Sequence, residues 1–195
     1  MVVPVSFAIK GGLLARRLWQ YKSLRLRADP DVAASAAVHL LALLLVFLRD
    51  HSACIWREAD LPGPTHVAVV PTARGRLGIH PLQQLVSPYL ARPWAELSAR
   101  PGGQQVRDLD PERFAAGPLP GARVLLLDDT WTTGASAQSA AMALRRAGAE
   151  AVCTVVLGRH VDRTTAELAG LGPITMPFSS QSCAVHRGGT AGGSP

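Results

Sequence analysis

The chain has 195 residues, of which 48% are hydrophobic and 17% charged, a balance typical of a folded globular protein and not of a disordered chain. This length fits one domain with a small appendage. The three cysteines (Cys54, Cys153 and Cys183) lie far apart and are odd in number, which argues against a disulfide framework or a paired-cysteine metal site and favours a reducing cytoplasm.

The net charge of +6 is concentrated at the start of the chain. Residues 1–28 contain six basic residues and no acidic residue, so the rest of the chain is close to neutral. A basic segment of this kind is typical of a solvated helix face, and it also makes a nucleic acid, another acidic partner or a membrane surface a candidate. The six residues are Lys10, Arg16, Arg17, Lys22, Arg25 and Arg27.

Two helices are predicted in the first third of the chain, at 12–22 and 31–49. The second contains residues 32–48, a run of 17 residues without a formal charge. A membrane span needs about 20 apolar residues, and Ser35 and His39 would lie inside this one. We therefore expect a core helix and no membrane span.

Further along the chain, short apolar runs alternate with helical segments. Strands are predicted at 66–70, 124–127 and 151–157, and helices at 81–86, 135–147 and 164–168. His80 is expected to start its helix without a chemical role. Residues 98–121 are rich in Gly, Pro, Arg and Asp and are predicted to form a long surface loop, a common setting for a lid.

A strand, a helix and a strand at this spacing predict a βαβ unit, and hence an α/β fold with a parallel sheet flanked by helices. In such sheets ligands bind beyond the carboxyl ends of the strands. We predict a helical N-terminal segment at 1–60 packed on the core, an α/β domain at 61–182 and a flexible tail at 183–195.

Two adjacent carboxylates, Asp128 and Asp129, follow the predicted strand at 124–127 in the stretch RVLLLDDTWTTGAS. Two unpaired carboxylates are costly to bury, so they are expected to face a ligand that offers hydroxyl donors or a cation. The hydroxyls and backbone amides of 130–136 then lead into a helix start, which suits a phosphate. A diol site next to a phosphate cradle indicates a ribose 5-phosphate ligand.

The stretch VLLLDDTWTTGAS resembles the thirteen-residue phosphoribosyl-pyrophosphate (PRPP) binding motif of the type I phosphoribosyltransferases. VAVVPTARGR at 67–76 resembles the strand and pyrophosphate loop of that family. Because LWQYK precedes a long loop and then the motif, the order from about residue 12 to 160 is similar to the competence-associated, ComF-like subgroup. The chain departs from that subgroup in two ways: it has no zinc ribbon, and GRLGIHPL at 75–82 lacks its Asn-Gln pair.

The resemblance implies a type I phosphoribosyltransferase-like fold and a cytoplasmic enzyme of nucleotide metabolism. Such an enzyme binds PRPP with Mg²⁺ and transfers the phosphoribosyl group to a nitrogen nucleophile, with release of pyrophosphate. The implied catalytic residues are Asp128, Asp129 and Arg74, with the metal held through PRPP near the two carboxylates. The implied PRPP-binding residues are Thr72, Ala73, Arg74, Arg76, Asp128, Asp129, Thr130, Trp131, Thr132, Thr133, Gly134, Ala135 and Ser136.

The acceptor side is less defined. Gly158, Arg159, His160 and Asp162, which follow the predicted strand at 151–157, are expected to face the acceptor or to form an ordinary polar turn. Arg107 is a candidate to close over the site from the long loop. Trp131 is expected to form either an exposed lid or a packing contact.

An alternative function is a PRPP-binding regulatory or DNA-uptake-associated protein of the same fold without turnover. In that case the basic N-terminal segment would supply a weak nucleic-acid contact. The acceptor and the oligomeric state are left open.

Overall fold

A computed structural model describes residues 1–22, 29–72, 79–100, 108–162 and Val185. The described chain contains six strands and four α-helices. In chain order they are β1 (Val2–Ile9), α1 (Leu13–Lys22), α2 (Pro30–Glu58), β2 (His66–Val69), α3 (Pro81–Val86), β3 (Leu97–Ala99), β4 (Phe114–Ala116), β5 (Arg123–Trp131), α4 (Ala135–Arg146) and β6 (Ala151–Val161). The predicted helix at 164–168 lies outside these residues, as does the predicted tail apart from Val185.

The chain divides into two compact units. The first unit comprises Met1–Val2 and Pro64–Leu157. The second unit comprises Val3–Gly63 and the described residues from Gly158 on.

The first unit is built on parallel strands in the order β6–β5–β2. Strand β2 pairs with β5 in parallel, with Val69 opposite Leu127, and the amide of Val70 donates to the carbonyl of Leu127 at 2.9 Å. The side chains of 124–127 are all at most 4% exposed, which explains the unbroken apolar run of this strand. The predicted α/β fold with a parallel sheet and helices is confirmed.

Helix α4 packs on this sheet mainly through alanine side chains, together with Leu144. Ala137, Ala140 and Leu144 lie in one core cluster with Val124 and Leu126 of β5. The helix ends at Arg146, one residue before the predicted end, and the predicted stop residue, Gly148, follows it with φ of 102°. There the amides of Gly148 and Ala149 donate to the carbonyls of Arg145 and Leu144, a pattern that requires a left-handed residue and therefore favours glycine.

The predicted loop at 98–121 is partly wrong, because β3 and β4 form an antiparallel ribbon with Ser98 opposite Ala115. Each strand has only three residues, too few to give a periodic signal among so many Gly, Pro and Arg residues. Described residues on either side of this ribbon also contact each other and α4. Glu112 accepts from Arg100 at 2.6 Å and from Arg146 of α4 at 2.5 Å.

The second unit contains the two predicted helices, α1 and α2. Helix α2 runs to Glu58 and is longer than predicted, because Arg49 and Asp50 lie on its exposed side and do not end it. Its buried residues recur every three or four positions, which is the spacing of a single helix face. They are Ala33, Ala36, Leu40, Leu44, Phe47, His51 and Ile55, and Trp56 next to Ile55 is buried as well.

Strand β1 was not predicted. The amide of Lys10, just after β1, donates to the carbonyl of Val161 in β6 at 3.1 Å. A partner about 150 residues away leaves no local signal in the sequence. Pro4 lies inside β1, which suits a strand at the end of the sheet order, where an amide donor is dispensable.

Within the described part of the chain, α2 is long and apolar enough to cross a membrane by length and composition alone. Its most apolar 18-residue window has a mean hydropathy of 2.2, and 28% of that window is buried. One such helix is weak evidence for a span, because the core helix of a soluble protein passes the same test.

Gly158 of β6 is expected to tolerate no larger side chain. A Cβ at this position would lie 2.5 Å from Cδ1 of Leu18 and 3.1 Å from Cβ of Ala8. Gly158→Val should therefore lower the free energy of unfolding by about 1–3 kcal/mol through overpacking, measured by urea denaturation. Arg159→Val, at the next and exposed position, is the matched control and should change it by about 0.5 kcal/mol or less. Equal stability of the two variants would contradict the close packing.

Candidate functional site

The two carboxylates lie inside β5 and not after it. The strand was predicted to end at Leu127, but it continues to Trp131, and the loop before α4 has only the three residues 132–134. Polar residues that are half-buried at a sheet edge can extend a strand without showing an apolar pattern. Successive strand residues point to opposite faces, so Asp128 and Asp129 diverge, and this separation reduces the repulsion expected between neighbouring carboxylates.

Asp128 is also oriented by its own chain. Its Oδ1 atom accepts a hydrogen bond from the backbone amide of Thr130 at 3.5 Å. Asp128, Asp129 and Thr130 are all half-buried, so each keeps a surface that a ligand can reach.

The loop after β5 opens the N-terminus of α4 to a ligand. Gly134 is the N-cap residue, with φ of 83° and ψ of −3°, and it has no side chain to cap the helix. The amide of Ala135 donates to Oγ1 of Thr133 at 3.3 Å, and Thr132 and Thr133 are exposed. Helix-start amides and hydroxyls in this arrangement suit a phosphate group.

Trp131 packs between this loop and the hydrophobic core. Its indole lies so close to Gly134 that a Cβ on Gly134 would be 2.1 Å from Cζ2 of the ring. The indole is half-buried and packs against the core cluster of β5 and α4. Of the two predicted roles, the structure therefore supports a packing contact.

Thr72 is brought to the same edge by the parallel pairing of β2 and β5. Pro71, which has no amide hydrogen, follows the last backbone bond from Val70 and ends the ladder. Continuing the register of Val69 with Leu127 places Thr72 level with Thr130. Ala73, Arg74, Arg76 and Arg107 lie outside the described residues.

The strand predicted to end at residue 157 continues to Val161, so the alternative of a polar turn directly after residue 157 is wrong. Gly158, Arg159 and His160 belong to β6, which continues to Val161 because its backbone pairs there with the residues after β1. Gly158 is buried, whereas Arg159 and His160 are exposed. Asp162 forms an ion pair with Lys10 at 3.4 Å. All of these residues belong to the second unit.

His80 has the structural role that was expected. It is the N-cap of α3, and its Nδ1 atom accepts a hydrogen bond from the amide of Leu82 at 3.2 Å.

A metal ion would need oxygen atoms from a ligand at this site. Among the described residues there is no cluster of three or more His, Cys, Asp or Glu side chains that could hold one. Mg²⁺ prefers one or two carboxylates together with phosphate oxygens and water. Asp128 and Asp129 therefore fit Mg²⁺ only when it is shared with a phosphorylated ligand.

The sequence did not reveal that Ser139 of α4 also supports this side of the unit. Its Oγ atom accepts from the amide of Asp110 at 3.0 Å, and the side chain is fully buried. Ser139 is one of two serines in this alanine-rich helix, and the sequence pattern does not set it apart from Ser136.

Gly134→Ala should destabilise the protein by more than the penalty for a left-handed backbone. Gly121 is the matched control, because its φ is 65° but no atom lies within 4 Å of a Cβ placed there. Gly121→Ala should cost about 1 kcal/mol in unfolding free energy, whereas Gly134→Ala should cost about 2–4 kcal/mol because of the added clash with Trp131. Denaturant unfolding of both variants measures the difference. A Gly134→Ala cost equal to that of Gly121→Ala would contradict the indole contact.

No family model and no curated protein matches the chain, whereas solved structures give matches at low identity. The orotate phosphoribosyltransferase of Mycobacterium tuberculosis H37Rv in complex with PRPP is 22% identical, with 85% of each chain covered and a TM-score of 0.41. The purine phosphoribosyltransferase of Pyrococcus horikoshii Ot3 is 18% identical over 65% of this chain and 81% of its own, with a TM-score of 0.37. The adenine phosphoribosyltransferase of Leishmania tarentolae is 18% identical over 57% of this chain and 69% of its own, with a TM-score of 0.35. At these low values, the chemistry of the site is inferred from its own residues.

Proposed function

We propose that this chain is a cytoplasmic phosphoribosyltransferase that takes PRPP as its donor, with Mg²⁺, and a nitrogen nucleophile as its acceptor. The observation that carries the proposal is the placement of DDTWTTGAS. Its two carboxylates lie toward the carboxyl end of a central parallel strand, and five residues, 130–134, connect them to the start of α4, where the N-cap residue Gly134 has no side chain. Ligands of open α/β sheets bind at this end of the strands.

The donor is held by two kinds of contact. Although Asp128 and Asp129 leave the strand toward opposite faces, both lie beyond Leu127, where the pairing with β2 ends, so both carboxylates can reach one ligand at this edge. They accept hydrogen bonds from the two ribose hydroxyls, and both are half-buried. The 5-phosphate binds to the backbone amides of 130–136 and to the hydroxyls of Thr132, Thr133 and Ser136. Gly134 allows the loop to take this path, because its φ is 83° and a Cβ there would lie 2.1 Å from the indole of Trp131.

The pyrophosphate lies on the β2 side of the same edge. Thr72 begins that side, and Ala73, Arg74 and Arg76, which follow it in the chain, are the proposed pyrophosphate ligands, with Arg107 as a candidate to close over the site. Mg²⁺, held by PRPP oxygens near Asp128 and Asp129, supplies positive charge to the pyrophosphate.

In the reaction, the bond between the anomeric carbon and the pyrophosphate oxygen breaks and a bond from that carbon to the acceptor nitrogen forms. The pyrophosphate leaves with the bonding electron pair, and the acceptor gives up a proton. The chain's own residues act mainly by positioning and by electrostatic stabilisation. The carboxylates fix the ribose, the helix start fixes its phosphate, and Arg74 offsets the charge that develops on the leaving group. Arg159, His160 and Asp162 stay candidates for the acceptor side.

Asp128→Asn combined with Asp129→Asn should weaken PRPP binding by about 100-fold or more, because two hydrogen bonds to ionised acceptors are lost, each worth about 1.5–3 kcal/mol. Isothermal titration calorimetry of PRPP with Mg²⁺ measures this loss. Asp50→Asn with Glu58→Gln removes the same charge from exposed positions of α2 and should bind as the parent does. Undiminished affinity in the Asp128 and Asp129 variant would overturn the proposed donor site.

Pyrophosphate release from PRPP, assayed against a panel of nucleobases and small amines, tests the transfer itself. At least one acceptor should give turnover, and Arg74→Gln should lower kcat by roughly 100-fold, the usual cost of removing one donor to a developing charge. Arg92→Gln, at an exposed position, is the control and should leave kcat unchanged. PRPP binding without turnover for any acceptor would instead favour the regulatory, non-catalytic alternative.

A further inference from the structure

The second unit contains a cavity of about 320 Å³ between the end of β1, the start of α1 and the middle of α2. Its walls are mainly apolar, and they include Phe7, Leu14, Leu40 and Leu43. Ligand pockets of proteins typically have volumes of about 300–1,000 Å³, with apolar walls and a few polar groups that fix orientation. In size and lining, the cavity matches such a pocket.

The ionisable side chains that line the cavity are basic. Arg17 and His39 line it, and no acidic side chain is among its lining residues in the described chain. Arg17 is half-buried, and its Nη1 atom donates to Oε1 of Gln20 at 3.4 Å, which orients the guanidinium. Among the described residues no carboxylate forms an ion pair with Arg17.

His39 adds a second polar group with a defined tautomer. Its Nδ1 atom lies 2.7 Å from the carbonyl oxygen of Ser35. A carbonyl oxygen can only accept, so Nδ1 carries the hydrogen. The imidazole can therefore offer only Nε2 to a ligand.

We propose that this cavity binds a small amphipathic carboxylate, with its hydrocarbon part inside the apolar walls and its carboxylate on the guanidinium of Arg17. The planar guanidinium matches the geometry of a carboxylate and forms paired hydrogen bonds with it. Burial of the hydrocarbon part against Phe7, Leu14 and Leu43 contributes the hydrophobic part of the affinity. This site is independent of the proposed PRPP site and lies wholly within the second unit.

Calorimetric titration of the full chain with decanoate, a soluble ten-carbon carboxylate, tests the proposal. Decanoate should bind with a stoichiometry of one, and neutral decan-1-ol should bind about tenfold more weakly. Arg17→Gln should weaken decanoate binding by about tenfold and leave decan-1-ol binding unchanged. The matched control is Arg16→Gln, which removes an exposed neighbouring charge outside the cavity and should bind decanoate as the parent does.

A second pair of variants tests the location. Leu43→Phe fills the cavity and should weaken both ligands, whereas Leu45→Phe places the same side chain on α2 outside the cavity and should not. Thermal melting confirms that the variants are folded. The proposal is overturned if decanoate fails to bind, if Arg16→Gln has the effect of Arg17→Gln, or if Leu43→Phe binds as Leu45→Phe does. It is also overturned if the chain sediments with phosphatidylglycerol vesicles but does not bind free decanoate, since that result would indicate a lipid surface.

Discussion

The parallel hydrogen bonding of β2 to β5 is the constraint on which the candidate site depends. It aligns the two strands with Val69 opposite Leu127, so the residues that follow this pair in both strands lie at the same edge of the sheet. Thr72 and the carboxylates of Asp128 and Asp129 are about 60 residues apart in the chain, yet the register brings them to the same edge. The buried apolar run of β5 fixes this register, because a shift by one residue would exchange the faces of the strand.

The geometry of β5 also explains how two carboxylates can be neighbours in the sequence. Within a strand, adjacent side chains alternate between the faces, so Asp128 and Asp129 do not share one side of the sheet. After β5, the backbone turns within the three residues 132–134 into α4. This short turn needs Gly134 in a left-handed conformation, in contact with the indole of Trp131. Charge separation and backbone shape together prepare an edge that can hold a sugar phosphate.

The features with local signals were predictable from the sequence. Strands β2 and β5 and helices α3 and α4 each follow from a short apolar run, a helix cap or a glycine stop. The features that depend on distant partners were not predictable. Strand β1 and the end of β6 pair across about 150 residues, and β3 and β4 are too short for a periodic pattern. At the site itself, the motif led to the proposed chemistry, but the packing of Trp131 on Gly134 required the three-dimensional structure.

The two ends of helix α4 contact different parts of the first unit. Its first residues adjoin the candidate phosphate loop, while Ser139 and Arg146 hold the segment around Asp110 and Glu112. The 12 residues of this helix therefore act as a ruler of about 18 Å. One inserted residue between Gly134 and Ser139 would rotate the later contacts by about 100° around the helix axis. The contacts of α4 therefore constrain the number of residues in the helix more tightly than they constrain its exposed side chains.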